Sequence, residues 1–166
     1  MKTLYERLCE SFFDNVGSPF EVIDNWCKDN ISGWYEIDRE TLIINAPSTI
    51  TIVNKNLVEF PSYIHFGTVG GEFYCNNCSS LKSLKGVPRE VGRSFYCDNC
   101  TSLKTLEGAP EKVGGNFNCS SCTSLKTLEG APKEVGMKFY CDNCSSLTSL
   151  EGISPNIKGK IYSDIR

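Results

Sequence analysis

Residues 114–135 read GGNFNCSSCTSLKTLEGAPKEV, a Cys-x-x-Cys pair (Cys119, Cys122) followed by a leucine-rich half. Such a pair is half of a common zinc site, so metal, disulfide or core packing are the three uses to separate. Compared with the rest of the chain, this stretch is one of four ungapped copies of a 22-residue unit, beginning at Gly70, Gly92, Gly114 and Gly136. Phe73, Phe95, Phe117 and Phe139 share one column, and Cys75, Cys97, Cys119 and Cys141 lie two residues on. Cys78, Cys100, Cys122 and Cys144 follow, then the leucine pairs 81/84, 103/106, 125/128 and 147/150. Gly86, Gly108, Gly130 and Gly152 end the units, with Pro88, Pro110 and Pro132 behind them; in the fourth unit the proline slips to Pro155. A fixed period of this length is the signature of a solenoid.

Within a unit, Phe-x-Cys has period 2, which sends both side chains to one face of a short strand. The second Cys follows a two-residue bend, Leu-x-x-Leu returns inward, and Gly-x-Pro turns the chain toward the next strand. Outside the regular repeats of residues 70–157, Ile50, Ile52, Leu57 and Phe60 fill the Phe, Cys, Leu and Leu places of an earlier coil with one residue deleted. Ile161 and Ser163 fall on the Phe and first Cys columns of a later one. The expectation is an α+β protein: a β-solenoid of about five to six coils over residues 46–166, with a small N-terminal helical cap over residues 1–45.

In that cap, Leu4, Leu8 and Phe12, flanked by Tyr5, Cys9 and Phe13, form a helical stripe. Ser18-Pro19-x-Glu21 is a capping box with proline at the first helical position, predicting a second helix that buries Phe20, Ile23 and Cys27 or Trp26. GWYEIDRETLIINAP, residues 33–47, reads as a hairpin. The cap would hide the first edge strand, whereas the C-terminal edge, Lys158–Arg166, has no cover and could pair with another chain.

The chain's 166 residues, 40% hydrophobic and 22% charged, are those of a globular protein. A net charge of −3 and a pI near 5.3 argue against nucleic-acid binding, which needs a basic face. No apolar run resembles a signal peptide or a membrane span. The expected location is the cytoplasm, where ten cysteines stay reduced.

The pattern V-G-x-x-F-x-C-x-x-C-x-S-L resembles the core of leucine-rich repeats, with Phe and Cys in two of the Leu places. More narrowly, the LxSLEGAPKEVGG-type repeat and the lead-in NKNLVEFPSYIHFGTVGGEFYC (residues 54–75) resemble short leucine-rich-repeat-like proteins of tailed bacteriophages and some of their hosts. The likeness spans about residues 20–157. It implies a fold, a phage or prophage origin and no catalytic activity; the chain departs from the commoner pattern by carrying Cys where many members have Asn.

Spacing alone supports zinc: 18 residues separate Cys78 from Cys97, and two sites would use all eight repeat cysteines, Cys75, Cys78, Cys97, Cys100, Cys119, Cys122, Cys141 and Cys144. Against it, a solenoid displays equivalent residues as parallel ladders rather than tetrahedral clusters. Ile52, Lys55 and Ser163 also stand in cysteine columns. Buried core ladders are the leading reading, with zinc and disulfides as alternatives, and no cofactor is expected.

Strand alternation should turn three rows outward: Tyr74, Tyr96, Asn118, Tyr140 and Tyr162; Glu72, Ser94, Asn116 and Lys138; and Asn76, Asp98, Ser120 and Asp142. Exposed tyrosines on a rigid sheet suit protein binding, although stacked tyrosines can also simply shield a sheet. Lys82, Lys104 and Lys126, each followed three residues later by Lys85 or by Glu107 and Glu129, read with Glu151 as a solvated, self-compensating face. His65 is the single histidine and sits in no catalytic motif, Asp98 and Asp142 lie two coils apart, and no phosphate-binding, nucleophile-elbow or zinc-protease motif occurs. The functional expectation is a non-enzymatic protein–protein interaction module that binds neither nucleic acid nor membrane. On the phage resemblance its partner would be a host or host-defence protein. A zinc-stabilised domain and a self-assembling protein are the alternatives.

Overall fold

The computed structural model describes residues 17–165; the stripe of Leu4, Leu8 and Phe12 lies outside them. The first element is helix α1, Pro19–Asn30. It starts where the sequence predicts: Glu21 N–H donates to Ser18 Oγ at 3.3 Å, and Ser18 N–H donates to Glu21 Oε2 at 2.8 Å. The reciprocal pair satisfies two of the donors a helix start leaves orphaned. Ile23 and Cys27 are fully buried, while Phe20 and Trp26 pack at the margin, Trp26 lying 6.0 Å from Phe60.

Strand β1, Ile31–Ser32, follows directly. Residues 33–47 form the expected hairpin, with β2 (Glu36–Ile37) antiparallel to β3 (Ile44–Ala46). Its turn is held by Asp38, whose Oδ1 accepts from the amides of Glu40 and Thr41. Next come β4 (Ile50–Ile52), β5 (Phe66–Val69), β6 (Phe73–Tyr74), β7 (Glu90–Val91) and β8 (Phe95–Tyr96). The series continues with β9 (Lys112–Val113), β10 (Phe117–Asn118), β11 (Glu134–Val135), β12 (Phe139–Tyr140) and β13 (Ile161–Tyr162).

These strands form a β-solenoid of about five turns with two sheets along its length. The seven-stranded sheet runs β1-β4-β6-β8-β10-β12-β13; all neighbours are parallel except β1, which is antiparallel to β4. Register follows the repeat, Phe73 beside Phe95 beside Phe117 beside Phe139 beside Ile161. Ile50 pairs with Phe73, as the degenerate first coil requires. The six-stranded sheet, β11-β9-β7-β5-β3-β2, has no signature in the sequence pattern. Its regular strands are two residues long and bury one valine each (Val91, Val113, Val135), too short for alternation to betray them.

The capping expectation is also refined. The edge of the seven-stranded sheet is closed by strand β1, and α1 packs on the end of the core. Residues 31–46 share both sheets and the buried core with the coils.

Inside, Phe73, Phe95, Phe117 and Phe139 are fully buried and stack at ring spacings of 5.6, 5.4 and 5.1 Å. The leucine columns flank them, fully buried from Leu81 to Leu128. Each coil presents an apolar inner edge that only its neighbours can cover, so stacking is what buries the core. At the corner between the sheets, a Cβ on Gly114 would lie 2.1 Å from the carbonyl oxygen of Gly92, so this column needs glycine for close approach.

Candidate protein-interaction face

The outer surface of the seven-stranded sheet carries the tyrosine row. Tyr74 and Tyr96 stack with centroids 4.7 Å apart and planes within 3°; Tyr140 and Tyr162 stack at 4.8 Å and 11°. All four rings are half-buried, each covering its neighbour and leaving an edge to solvent. Register imposes this geometry: identical columns one strand apart place rings at the strand spacing, roughly 4.8 Å, close to the optimum for offset stacking. Between the pairs sits half-buried Asn118, whose Oδ1 accepts from Ser120 N–H at 3.0 Å.

The flanking rows carry more structure than expected. Ser94, expected outside, is buried, 7% exposed, and its Oγ accepts from Asn116 N–H at 3.0 Å. Asn116 Oδ1 in turn accepts from Lys138 N–H at 3.0 Å, so this row ties successive coils together through side chains. Glu72 is half-buried beside Tyr74, whose hydroxyl is pushed above its ordinary pKa by burial and by that carboxylate. Lys138 Nζ lies 5.4 Å from the centre of the Tyr162 ring, and its pKa is raised by its contacts with the Tyr162 and Tyr140 hydroxyls.

In the third row, Asp98, Ser120 and Asp142 are half-buried, and Ser120 Oγ donates to Asp142 Oδ1 at 2.7 Å. Asn76, also half-buried, gives its carbonyl to Lys55 Nζ at 2.9 Å. The expected charge ladder pairs differently from the sequence reading. Glu107 meets Lys85 of the preceding coil at 2.8 Å, and Glu111 meets both Arg89 and Lys133 at 2.9 Å. His65 is exposed, and its carbonyl accepts from Ile44 N–H.

Beneath the face lie the thiols. The nine described cysteines are free and buried, the repeat ones forming two ladders. Their second ladder has a role that spacing does not reveal. Where the chain bends after the first cysteine, Cys100 Sγ lies 3.2 Å from the carbonyl oxygen of Cys75, Cys122 from that of Cys97, and Cys144 from that of Cys119, each thiol donating to the coil before. Buried carbonyls need a donor, and a small apolar side chain with a weak S–H supplies one. In the first coil Lys55 Nζ takes over, donating to the Ile52 carbonyl at 2.8 Å.

Burial pushes the Cys75, Cys97 and Cys119 thiols well above their ordinary pKa, Cys27 up to about 12 and Cys141 up to about 11. The neighbouring Cys100 thiol, with the Lys55 ammonium nearby, holds Cys78 lower. Among the described residues, no group of three or more His, Cys, Asp or Glu is placed to hold a metal ion. The bend itself needs a left-handed residue, Asn77, Asn99, Ser121 or Asn143, at φ between 57° and 60°.

Elsewhere, open grooves run along the glycine corner and between helix α1 and the β2–β3 hairpin. One groove, of about 470 Å³, is lined by Lys112, Glu134, Asn156 and Lys158 among others. Among the described residues, no helix is long and apolar enough to cross a membrane. Comparison of the chain with known protein families, with curated proteins and with solved structures finds no match.

Proposed function

We propose that the protein is a non-enzymatic binding module that presents the tyrosine face of its seven-stranded sheet to a protein partner. The observation carrying this reading is the pair of half-buried tyrosine stacks on a backbone fixed by two parallel ladders. Such rings offer large contact area with little side-chain entropy left to lose. Tyr74, Tyr96, Asn118 and Tyr140 form the centre of the face, with Glu72, Asn116, Asp98 and Asp142 along its sides. The leucine-rich-repeat and phage likeness rests on repeat and lead-in residues of the sequence; by that analogy the partner is a host or host-defence protein met in the host cytoplasm. The test is capture and identification of partners from host lysate by the native protein and by a Tyr96→Ser/Tyr140→Ser variant of matched thermal stability. Undiminished recovery of the identified partner by the variant would reject this face.

One observation favours a second reading, self-assembly through the C-terminal end. Among the described residues strand β13 has a neighbour on one side only, and Ile157 and Ile161 stay half-buried where their counterparts Val135 and Phe139 are fully buried. Light scattering decides it: a mass that stays monomeric across concentration eliminates this alternative.

A further inference from the structure

The tyrosine stack is broken once, and the break has defined dimensions. Tyr96 has one face against Tyr74, and Tyr140 has one face against Tyr162. Their other faces look toward the coil between them, where Asn118 stands in place of a ring. Two strand spacings separate Tyr96 from Tyr140, about 9.6 Å. A planar group midway would lie at about 4.8 Å from each ring, the spacing that the existing pairs adopt. The slot therefore accepts one planar group and no more.

Charge selects which planar group. Along one side of the slot run Asp98, Ser120 and Asp142, two residues on from Tyr96, Asn118 and Tyr140, in the turns that follow the strands. The Asp98 and Asp142 carboxylates each accept from the asparagine amide that follows, at 3.1 Å, and Asp142 also accepts from Ser120. An ionised carboxylate still has lone pairs beyond these. The other side has neutral Asn116, while the ammonium of Lys138 contacts the Tyr140 and Tyr162 hydroxyls and lies 5.4 Å from the Tyr162 ring centre, one coil on from Asn118. Two negative ring faces and two carboxylates favour a planar cation, and would repel the phosphates that accompany a nucleobase.

We propose that the gap over Asn118 is a receptor for one arginine side chain of the partner, its guanidinium sandwiched between Tyr96 and Tyr140 and hydrogen-bonded to Asp98 and Asp142. This rests on the tyrosine face being the binding face. Arginine matches because its flat fork stacks and donates at once, which an ammonium cannot do.

The test is an NMR titration of the full chain with an end-blocked Gly-Arg-Gly peptide, run beside its lysine and tyrosine analogues. The expected result is upfield movement of the arginine δ-methylene protons by the two rings, with weaker binding of the lysine peptide. Asn118→Tyr fills the slot with the side chain that other coils carry, so the fold has a ready place for it. It should weaken arginine binding about tenfold or more. Asn118→Asp, which keeps an acceptor for Ser120, should strengthen it. No shift with the arginine peptide, equal binding of the tyrosine peptide, or unchanged affinity in Asn118→Tyr would each overturn the proposal. The two readings fail separately. A partner kept by Asn118→Tyr but lost by Tyr96→Ser/Tyr140→Ser rejects the slot and retains the face; a partner kept by both rejects the face.

Discussion

The second cysteine of each repeat is a donor as much as a core filler. Cys122→Ala would empty a methyl-sized volume and leave the buried carbonyl of Cys97 without the thiol at 3.2 Å. The expected loss is about 1–3 kcal/mol in chemical denaturation, with Cys122→Ser losing less because it keeps a donor. A second residue-scale weakness is Ser121, at φ 60° where three sister coils place Asn. Left-handed backbone is costly for most side chains and tolerated by Asn, so Ser121→Asn should stabilise by about 0.5–1 kcal/mol. A melting temperature unchanged or lowered by that substitution contradicts this account. The columns of these residues were plain in the sequence, but their tasks were not. A thiol bonded to a carbonyl one coil away leaves the same Cys-x-x-Cys spacing as a zinc ligand. Ser94 was likewise legible as a member of a row, while its burial depends on the adjoining coil, whose backbone it binds.

Among elements, strand and corner depend on each other. Val-Gly closes strands β5, β7, β9 and β11 of the six-stranded sheet, and the glycine lets the next coil approach to van der Waals distance. Gly114→Ala places a methyl against the Gly92 carbonyl, which cannot swing aside as a side chain would. Overpacking of this kind costs about 1–3 kcal/mol, and protection from hydrogen exchange should fall first at the amides of Gly114 and Gly136, which bond across that corner. Exchange unaltered there would mean the coils can separate freely. The start of helix α1 is readable to the residue because a capping box is a local chemical signal. The six-stranded sheet was invisible for the opposite reason: its strands are defined by partners one repeat away. Strand β1 has no sequence signal on the same ground, since its two residues become a strand only by pairing with β4.

For the molecule as a whole, the buried thiols set a pH window. Cys27 and Cys141 titrate near 12 and 11 when folded, and Cys75, Cys97 and Cys119 well above their ordinary value. An unfolded thiol loses its proton near 8.5, roughly. Between these values the unfolded chain binds fewer protons than the folded one, so stability falls as pH rises. It is fully present below about pH 8.5 and declines through pH 11–12. Melting temperatures recorded from pH 7 to 11 should drop above pH 8.5, and a flat profile would show that these thiols are not buried as described. Thiol reagents should react slowly with the native protein and promptly once it is denatured.

The strict register of Phe95, Phe117 and Phe139 makes the array divisible. Each coil touches its neighbours alone, so length is a matter of copy number rather than redesign. Excision of residues 114–135 would bring Tyr140 onto Tyr96 and merge two short stacks into one continuous column. A duplication of the same stretch would widen the gap by one spacing. Recombination between near-identical repeats can therefore rewrite the surface of such a protein in a single genetic event, with no point mutation and no new side chain.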